Sequence, residues 1–369
     1  MPIKVCHVTS MHTPFDTRIF VKECCSLSKK YDVYLVASEV ETQEKNHVHI
    51  VGVKMPPHGI KKMLTTKPVI KAAEAINADI YHFHDPELMK AGLKLKENGK
   101  KVIFDYHENF KEFLLAKPWI PRPLRGIASK LFGQYESRLL PQYDSLISVT
   151  PYIINRLKNY NNQTYLITNY PFKTIVEDNR RWGDKICFIG GIMPEWKIEN
   201  VVKALPKTSA RLVLAGDIAP TSYFEDMKNL EGWDKVRYLG RIPYPNVIPT
   251  MQECIAGLCI RPYDHPNSCY RDGSLGANKF FEYLIAGIPV IASGLNVWKE
   301  IIEQYDCGVL VEPDSIESIA NAINYLVDNP LEAKRLGDNG MKAAKEVFNW
   351  ETQEVKLFEL YDTLLDRNR

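Results

Sequence analysis

The sequence predicts an α/β fold of two domains, each a parallel sheet covered by helices in the Rossmann-like manner. Three observations carry that prediction. The chain has 369 residues, more than one compact core usually takes at about 100–200 residues per domain. Short β-rich apolar runs alternate with longer helical patterns, the signature of parallel βαβ units. The alternation breaks once, at a polar stretch near the middle, and then restarts.

In the first half the strand-like runs are Ile3–Val8, Val33–Ala37, Asp79–Phe83, Lys101–Tyr106 and Ser145–Val149. Helical periodicity falls on Phe20–Lys29, Lys67–Ile76 and Glu87–Glu97. Continuous apolar strands such as Val102-Ile103-Phe104 fit a sheet buried on both faces. The break starts near Asn169-Tyr170-Pro171 and runs through Glu177–Asp184, so residues 173–184 read as a linker between domains at 1–172 and 185–345. Strand-like runs then resume at Ile186–Ile189, Arg211–Ala215, Val236–Leu239, Ala256–Ile260, Pro289–Ala292 and Gly308–Val311. Ile198–Leu205, Lys279–Ala286 and Ile316–Asp328 read as helices between them. From about Asn339 to Leu365 the chain is helical again and no strand follows, so residues 346–369 are expected to pack back over the body.

Composition narrows the class. Hydrophobic residues at 45% and charged residues at 25% exclude a disordered chain. A formal net charge of +2, with no basic stripe, argues against nucleic acid as a partner. No run approaches the roughly 18 apolar residues of a spanning helix, and Met-Pro-Ile-Lys-Val-Cys-His leads straight into a strand rather than a leader. The expectation is a cytoplasmic protein. Its eight cysteines lack zinc-knuckle spacing and read as buried free thiols.

Four stretches can carry chemistry. Gly273-Ser274-Leu275-Gly276-Ala277-Asn278-Lys279 leads into a helix that contains Glu282. Such a loop lets backbone N–H groups approach a phosphate at a helix N-terminus, and a carboxylate one turn in can accept hydrogen bonds from a ribose diol. The plainer reading, glycines that turn the chain and a solvated glutamate, stands beside it. The second stretch, Gly190-Gly191 followed by Lys197, lies at the carboxyl end of a strand, where open α/β sheets bind ligands. Lys197 offers an ammonium to a diphosphate or is a surface lysine. The full GxGxxG spacing is absent, which argues against a dinucleotide dehydrogenase. The third is His107-Glu108 at the end of Lys101–Tyr106, where the histidine either meets a polar substrate or serves the structure. His82 and His84 precede it on one strand face, the spacing of a metal pair. The fourth is the loop holding Asp16 and Arg18, which can also pair with each other.

Together these residues resemble glycosyltransferase family 4, retaining enzymes of the GT-B fold, in which two Rossmann-like domains face each other across a cleft. The resemblance spans essentially the whole chain. It rests on Asp16-Thr17-Arg18-Ile19-Phe20, Tyr81-His82-Phe83-His84-Asp85-Pro86-Glu87-Leu88, Asp105-Tyr106-His107-Glu108 and the run from Lys279-Phe280-Phe281-Glu282-Tyr283 to Pro289-Val290-Ile291-Ala292. It implies a nucleotide-sugar site in the second domain and an acceptor site in the first, with Asp16 and Arg18 on the acceptor side. Glu282 matches the ribose-holding second carboxylate of the family's Glu-x7-Glu motif, while its first carboxylate falls on Ser274. Amides around Leu275–Lys279, including those of Gly276 and Asn278, are then expected at the donor sugar or diphosphate. His107 matches a histidine near the donor sugar. Gly191 stands where the family usually has arginine, and Lys197 lies one residue beyond the usual lysine.

The resemblance therefore implies transfer of a hexose-type sugar from a nucleotide diphosphate to a hydroxyl of a glycan or lipid-linked glycan, with retention. By analogy the product is a bacterial surface polysaccharide. Two rivals follow from the same residues: a sugar-nucleotide epimerase of the same fold, and a degenerate nucleotide-binding scaffold suggested by Ser274 and Gly191. No cofactor or metal is expected, since no Asp-x-Asp pair occurs. Within Lys117–Gln142, residues Pro118, Trp119, Arg122, Arg125, Lys130, Leu131, Phe132 and Arg138 mix basic and apolar character. That segment is either a helix packed between the domains or a peripheral contact with the inner face of the plasma membrane.

Overall fold

The computed structural model describes residues 2–56, 62, 65–116, 120–173, 178–264 and 273–366. It forms two compact units, one of residues 1–169 and 352–369 and the other of residues 170–351.

The first unit is an eight-stranded sheet of β1 (Lys4–Val8), β2 (Asp32–Ser38), β3 (Gln43–Lys45), β4 (Val48–Val53), β5 (Ile80–Phe83), β6 (Lys101–Tyr106), β7 (Ser145–Ser148) and β8 (Thr164–Leu166). Their order in space is β3-β4-β2-β1-β5-β6-β7-β8. All neighbours are parallel except β3 and β4. The chain leaves β1 toward one edge and returns beside it as β5, so the direction of winding switches between these two strands. Crevices that bind ligands open at such a point, at the carboxyl ends of the strands. Val5, Val8, Ile80, Phe83, Ile103 and Phe104 are buried, as a sheet covered on both faces requires.

The second unit is a six-stranded, all-parallel sheet of β9 (Lys185–Ile189), β10 (Arg211–Ala215), β11 (Val236–Tyr238), β12 (Ala256–Cys259), β13 (Val290–Ser293) and β14 (Gly308–Val311). Its order, β11-β10-β9-β12-β13-β14, is the Rossmann order, with the switch between β9 and β12. Ile186, Phe188, Leu212, Leu214, Leu258 and Ile291 lie in its core.

Some elements differ from the sequence expectation. The first helix begins at Thr17, three residues early, because the Asp16 side chain caps it by accepting the N–H groups of Arg18 and Ile19. Thr17–Cys24 is wound as a π-helix and ends, after Cys25–Leu27, short of Lys29. The hairpin Gln43–Lys45 and Val48–Val53 turns on Asn46 and His47, whose φ angles of 52° and 59° are unusual outside glycine. The helical C-terminal region is two helices, Pro330–Glu346 and Trp350–Asp366, and the second contributes buried Leu357, Leu360, Tyr361 and Leu364. In the expected linker, Arg180 pairs with Asp178 and Asp338, while residues 174–177 lie outside the described ones. Every described cysteine is a free thiol.

Candidate active site

In the second unit, β9 delivers Gly190-Gly191 to the switch point. Gly190 has a φ of +138°, and a Cβ there would stand 2.9 Å from Lys279 Cε and 3.3 Å from Nζ. The ammonium at the glycine loop is therefore that of Lys279, from the first turn of the helix Asn278–Ala286. It also lies 3.9 Å from the ring centre of Phe188 and 3.3 Å from that of Trp196. Arg261, two residues past the carboxyl end of β12, covers the same indole, its Cζ 3.8 Å from the ring centre, and pairs with Glu195 at 2.9 Å. Burial lowers the Lys279 ammonium to about 7, and the Arg261 charge adds to the effect. Two basic side chains thus converge at the end of β9 and β12, one of them with its pKa lowered by burial.

Lys197 points elsewhere. Its backbone is left-handed, with a φ of 50°, and its ammonium pairs with Asp314 at 2.9 Å. At Gly191 a Cβ would meet only the end of the Met193 side chain, Cε at 3.8 Å, an ordinary contact. The glycine loop itself also differs from the expected row of outward amides. Ser274 Oγ accepts the Gly276 N–H at 3.0 Å, the Ser274 carbonyl accepts that of Ala277, and the Gly276 carbonyl accepts that of Asn278. A loop whose own acceptors are close satisfies its donors locally. Asn278 Oδ1 is buried without a partner among the described residues, and Leu275 is partly buried against the core. Glu282 is half-buried on the exit from the helix's first turn. Burial, and then the charge of Glu282, raises the Tyr244 phenol.

Arg261 and Tyr244 escaped the sequence reading. Arg261 directly follows the strand expected to end at Ile260, so its place at a carboxyl edge was a usable signal. Tyr244 sits in a short turn, Tyr244–Asn246, with no periodicity to mark it.

In the first unit, the carboxyl ends of β1, β5 and β6 bring together Ser10, His12, His84, Asp85 and His107. Asp85 accepts from Thr9 Oγ1 at 2.7 Å, the Ser10 N–H at 2.6 Å and the Met11 N–H at 3.2 Å. His12 Nδ1 is 3.0 Å away. Burial works against the charged His12, but Asp85 outweighs it and raises its pKa. The rings of His12 and His107 are 4.9 Å apart. His107 Nε2 meets His84 Nδ1 at 3.1 Å and is 15% exposed. Burial lowers His107 to about 3, so its imidazole is neutral, able to hydrogen-bond a sugar hydroxyl but not to act as a cation.

Asp16 and Arg18 do not pair through their side chains. Asp16 caps the helix, and the Arg18 guanidinium is buried on Asp105 at 2.8 Å, Glu23 at 3.1 Å and the Ile167 carbonyl at 2.9 Å.

Residues 179–343 match the family described as glycosyl transferases group 1, and residues 21–169 match glycosyltransferase family 4. An MMP α-(1→4)-mannosyltransferase from Mycolicibacterium hassiacum is 32% identical over 101 residues, 27% of this chain and 24% of that protein. An uncharacterized glycosyltransferase from Methanocaldococcus jannaschii is 25% identical over 60% of each chain. The chain thus spans less than two thirds of these curated relatives. Among solved structures, a sucrose-phosphate synthase from Thermosynechococcus elongatus superimposes with a TM-score of 0.77 at 18% identity, covering 99% of this chain and 100% of the other. The Anabaena protein HepE, solved with UDP and glucose, gives 0.71 at 14% identity over 98% and 100%. Both halves match in order along the chain, and the fold agrees over its whole length: this chain is a glycosyltransferase of the GT-B fold and belongs to glycosyltransferase family 4.

Proposed function

We propose that the enzyme transfers a hexose-type sugar from a nucleotide diphosphate to a hydroxyl of a glycan or lipid-linked glycan, with retention, in the assembly of a bacterial surface polysaccharide. The observation that supports this best is the buried Lys279 ammonium at Gly190, three residues before Glu282 on the same helix. A diphosphate at the glycine loop meets Lys279 and Arg261, and a ribose one helical turn away meets Glu282. In this reading Lys279 and Arg261 supply the positive charge that an arginine at the place of Gly191 would bring. The Anabaena protein HepE, also solved with UDP-glucose, accords with such a donor.

The chemistry needs the leaving diphosphate stabilised where charge develops. The chain's own cations do this in the proposal, and no divalent metal is required on the phosphates. His107, neutral and at a strand end, then serves the sugar. Acceptor and donor sites lie on different units, so closure accompanies turnover. No described helix is long and apolar enough to cross a membrane. The helix Arg122–Leu139 nevertheless exposes Leu124, Ile127 and Leu131 beside Arg122 and Lys130, which suits a lipid-linked acceptor. Of the segment expected there, residues 117–119, with Pro118 and Trp119, lie outside the described ones.

The test is transfer from a panel of nucleotide sugars, with the anomeric configuration of the product read by NMR and EDTA present throughout. Retained configuration and undiminished turnover are expected. Inverted product, donor epimerisation without an acceptor, or loss of activity restored by magnesium or manganese overturns the reading.

A further inference from the structure

Beneath the proposed acceptor edge lies a second cluster that this function does not use. His7 on β1 is the direct sheet partner of His82 on β5. His84 follows two residues later on the same face, its N–H bonded to the Val8 carbonyl at 3.3 Å. Glu23 is supplied by the π-helix Thr17–Cys24. All four side chains are wholly buried. One ligand atom from each of the four lies within 4.8 Å of the other three.

We propose that His7, Glu23, His82 and His84 hold one divalent transition-metal ion, zinc by the chemistry of the set, as a structural centre of the first unit. Three imidazoles and a carboxylate form a closed four-coordinate N3O set, and tetrahedral zinc holds such ligands about 3.3 Å apart at bond lengths near 2.0–2.1 Å. Full burial leaves no position open to water, which marks a structural rather than a catalytic centre.

The contacts around the cluster are those of ligands, not only of a polar core. Each imidazole turns one nitrogen inward and gives the other to a partner outside. His82 Nδ1 meets the Tyr361 hydroxyl at 2.9 Å, and His7 Nε2 meets the same hydroxyl at 3.4 Å. His84 Nδ1 meets His107 Nε2 at 3.1 Å and lies 3.6 Å from Asp105. Glu23 Oε1 is 3.1 Å from Arg18 Nη2, and Arg18 is in turn anchored on Asp105 at 2.8 Å. Outer partners of this kind fix the tautomer and aim of metal-bound histidines.

A metal-free core is the alternative, and it accounts for less. The 2.9 Å contact of His7 Nδ1 with His84 Nε2 is satisfied by one shared proton. That leaves His82 Nε2 buried with no partner among the described residues. It also leaves Glu23 Oε2 at 3.8 Å and 3.9 Å from His7 and His84, beyond hydrogen-bond reach. A cation among the four atoms answers both.

The test uses the full chain without a histidine tag, grown with zinc, washed with EDTA and measured by plasma mass spectrometry. About one zinc per chain is expected, with His82→Gln and Glu23→Gln falling below about a tenth and the exposed His49→Gln control unchanged. Because His82→Gln can fail to fold, wild-type chain is also denatured, stripped and refolded with cobalt, which should give the visible bands of a tetrahedral site. Wild-type chain with no metal after both growth and refolding, or variants that keep it, overturns the proposal. Metal content is read without any transfer assay, so this result and that of the proposed transfer stand apart.

Discussion

The Lys279 ammonium sits 3.3 Å from the ring centre of Trp196, on an indole that Arg261 covers as well. An aromatic face offers a lysine part of what water would. It does not supply the negative charge that a buried ammonium needs, and a diphosphate does. Replacement by methionine keeps the apolar stem and removes the charge. Lys279→Met is expected to weaken nucleoside diphosphate binding by roughly 1.5–3 kcal/mol, about 10- to 150-fold, the range for a charge-assisted hydrogen bond. The nucleoside monophosphate should lose less, and Lys197→Met, whose partner is Asp314, should leave diphosphate affinity near wild type. Calorimetry with both ligands decides; an equal loss from Lys197→Met would return the phosphate to that residue.

The same lysine links binding to pH. Its pKa is lowered to about 7 by burial, so above pH 7 the free protein mostly lacks the charge that the phosphate seeks. Diphosphate binding should take up about one proton per site near pH 8.5 and little near pH 6, and affinity should fall up to tenfold per pH unit above 7. Stability runs in a defined direction. The unfolded chain keeps this proton up to about 10.4, so it binds more protons between pH 7 and that value, and stability should rise with pH across the window. Lys279→Met should abolish both trends. Calorimetry in buffers of different ionisation enthalpy measures the first and denaturant melts the second.

Glu282 is expected to hold the ribose. Glu282→Ala should cost roughly 1.5–3 kcal/mol of nucleotide affinity while leaving the melting temperature near wild type, since the side chain is only half-buried. A dideoxyribose diphosphate should bind wild type as weakly as the variant binds the parent nucleotide, and the variant should not distinguish the two. Preserved discrimination between the sugars in the variant would rule out the assignment.

His107 meets sugar rather than nucleotide in the proposed reaction. His107→Ala should therefore lower kcat well beyond any change in affinity for the free diphosphate. Equal losses in the two would assign the residue to the packing around His84, its partner at 3.1 Å.

How much of this was legible depends on what each residue answers to. The strands were, because Val102-Ile103-Phe104 or Ile186–Ile189 can only be buried, and burial sets their period. Glycines at strand ends and Glu282 one turn into a helix follow from local spacing, so they were legible too. The cation proposed for the phosphate was not. Lys197 and Lys279 both lie near glycine loops in sequence, and only the left-handed backbone at Lys197 sends its ammonium to Asp314 while the helix at Lys279 aims its own at Gly190. Arg18 was read as an acceptor-side residue or a partner of Asp16, because its actual partners, Asp105 and Ile167, are 87 and 149 residues away. The histidine cluster had one visible half, the shared face of His82 and His84. Its other half, His7 and Glu23, required the pairing of β1 with β5 and the π-helix above them.

The proposed membrane contact can be tested on one helix. Arg122–Leu139 inverts the usual amphipathic order: Ser129 and Glu136 are buried, while Leu124, Ile127 and Leu131 are 51%, 57% and 60% exposed. The spacing of three and then four residues puts the three leucine-sized side chains on one face. Glu136 is held inside by Arg156 at 2.9 Å, so rolling the helix to hide that face would break this buried ion pair. Arg122 and Lys130 flank the stripe and suit anionic lipid. Full burial of such a side chain is worth roughly 1.5–3 kcal/mol, so even partial insertion of three should dominate a weak membrane affinity. The triple variant Leu124→Gln, Ile127→Gln and Leu131→Gln should therefore reduce sedimentation with phosphatidylglycerol vesicles by about tenfold or more, keep the wild-type melting temperature, and slow transfer to a lipid-linked acceptor without slowing transfer to a soluble one. Retention that falls with added salt but not with these substitutions would assign the contact to the basic residues alone; retention unchanged by either would remove this helix from the membrane altogether, and with it the structural argument for a lipid-linked acceptor.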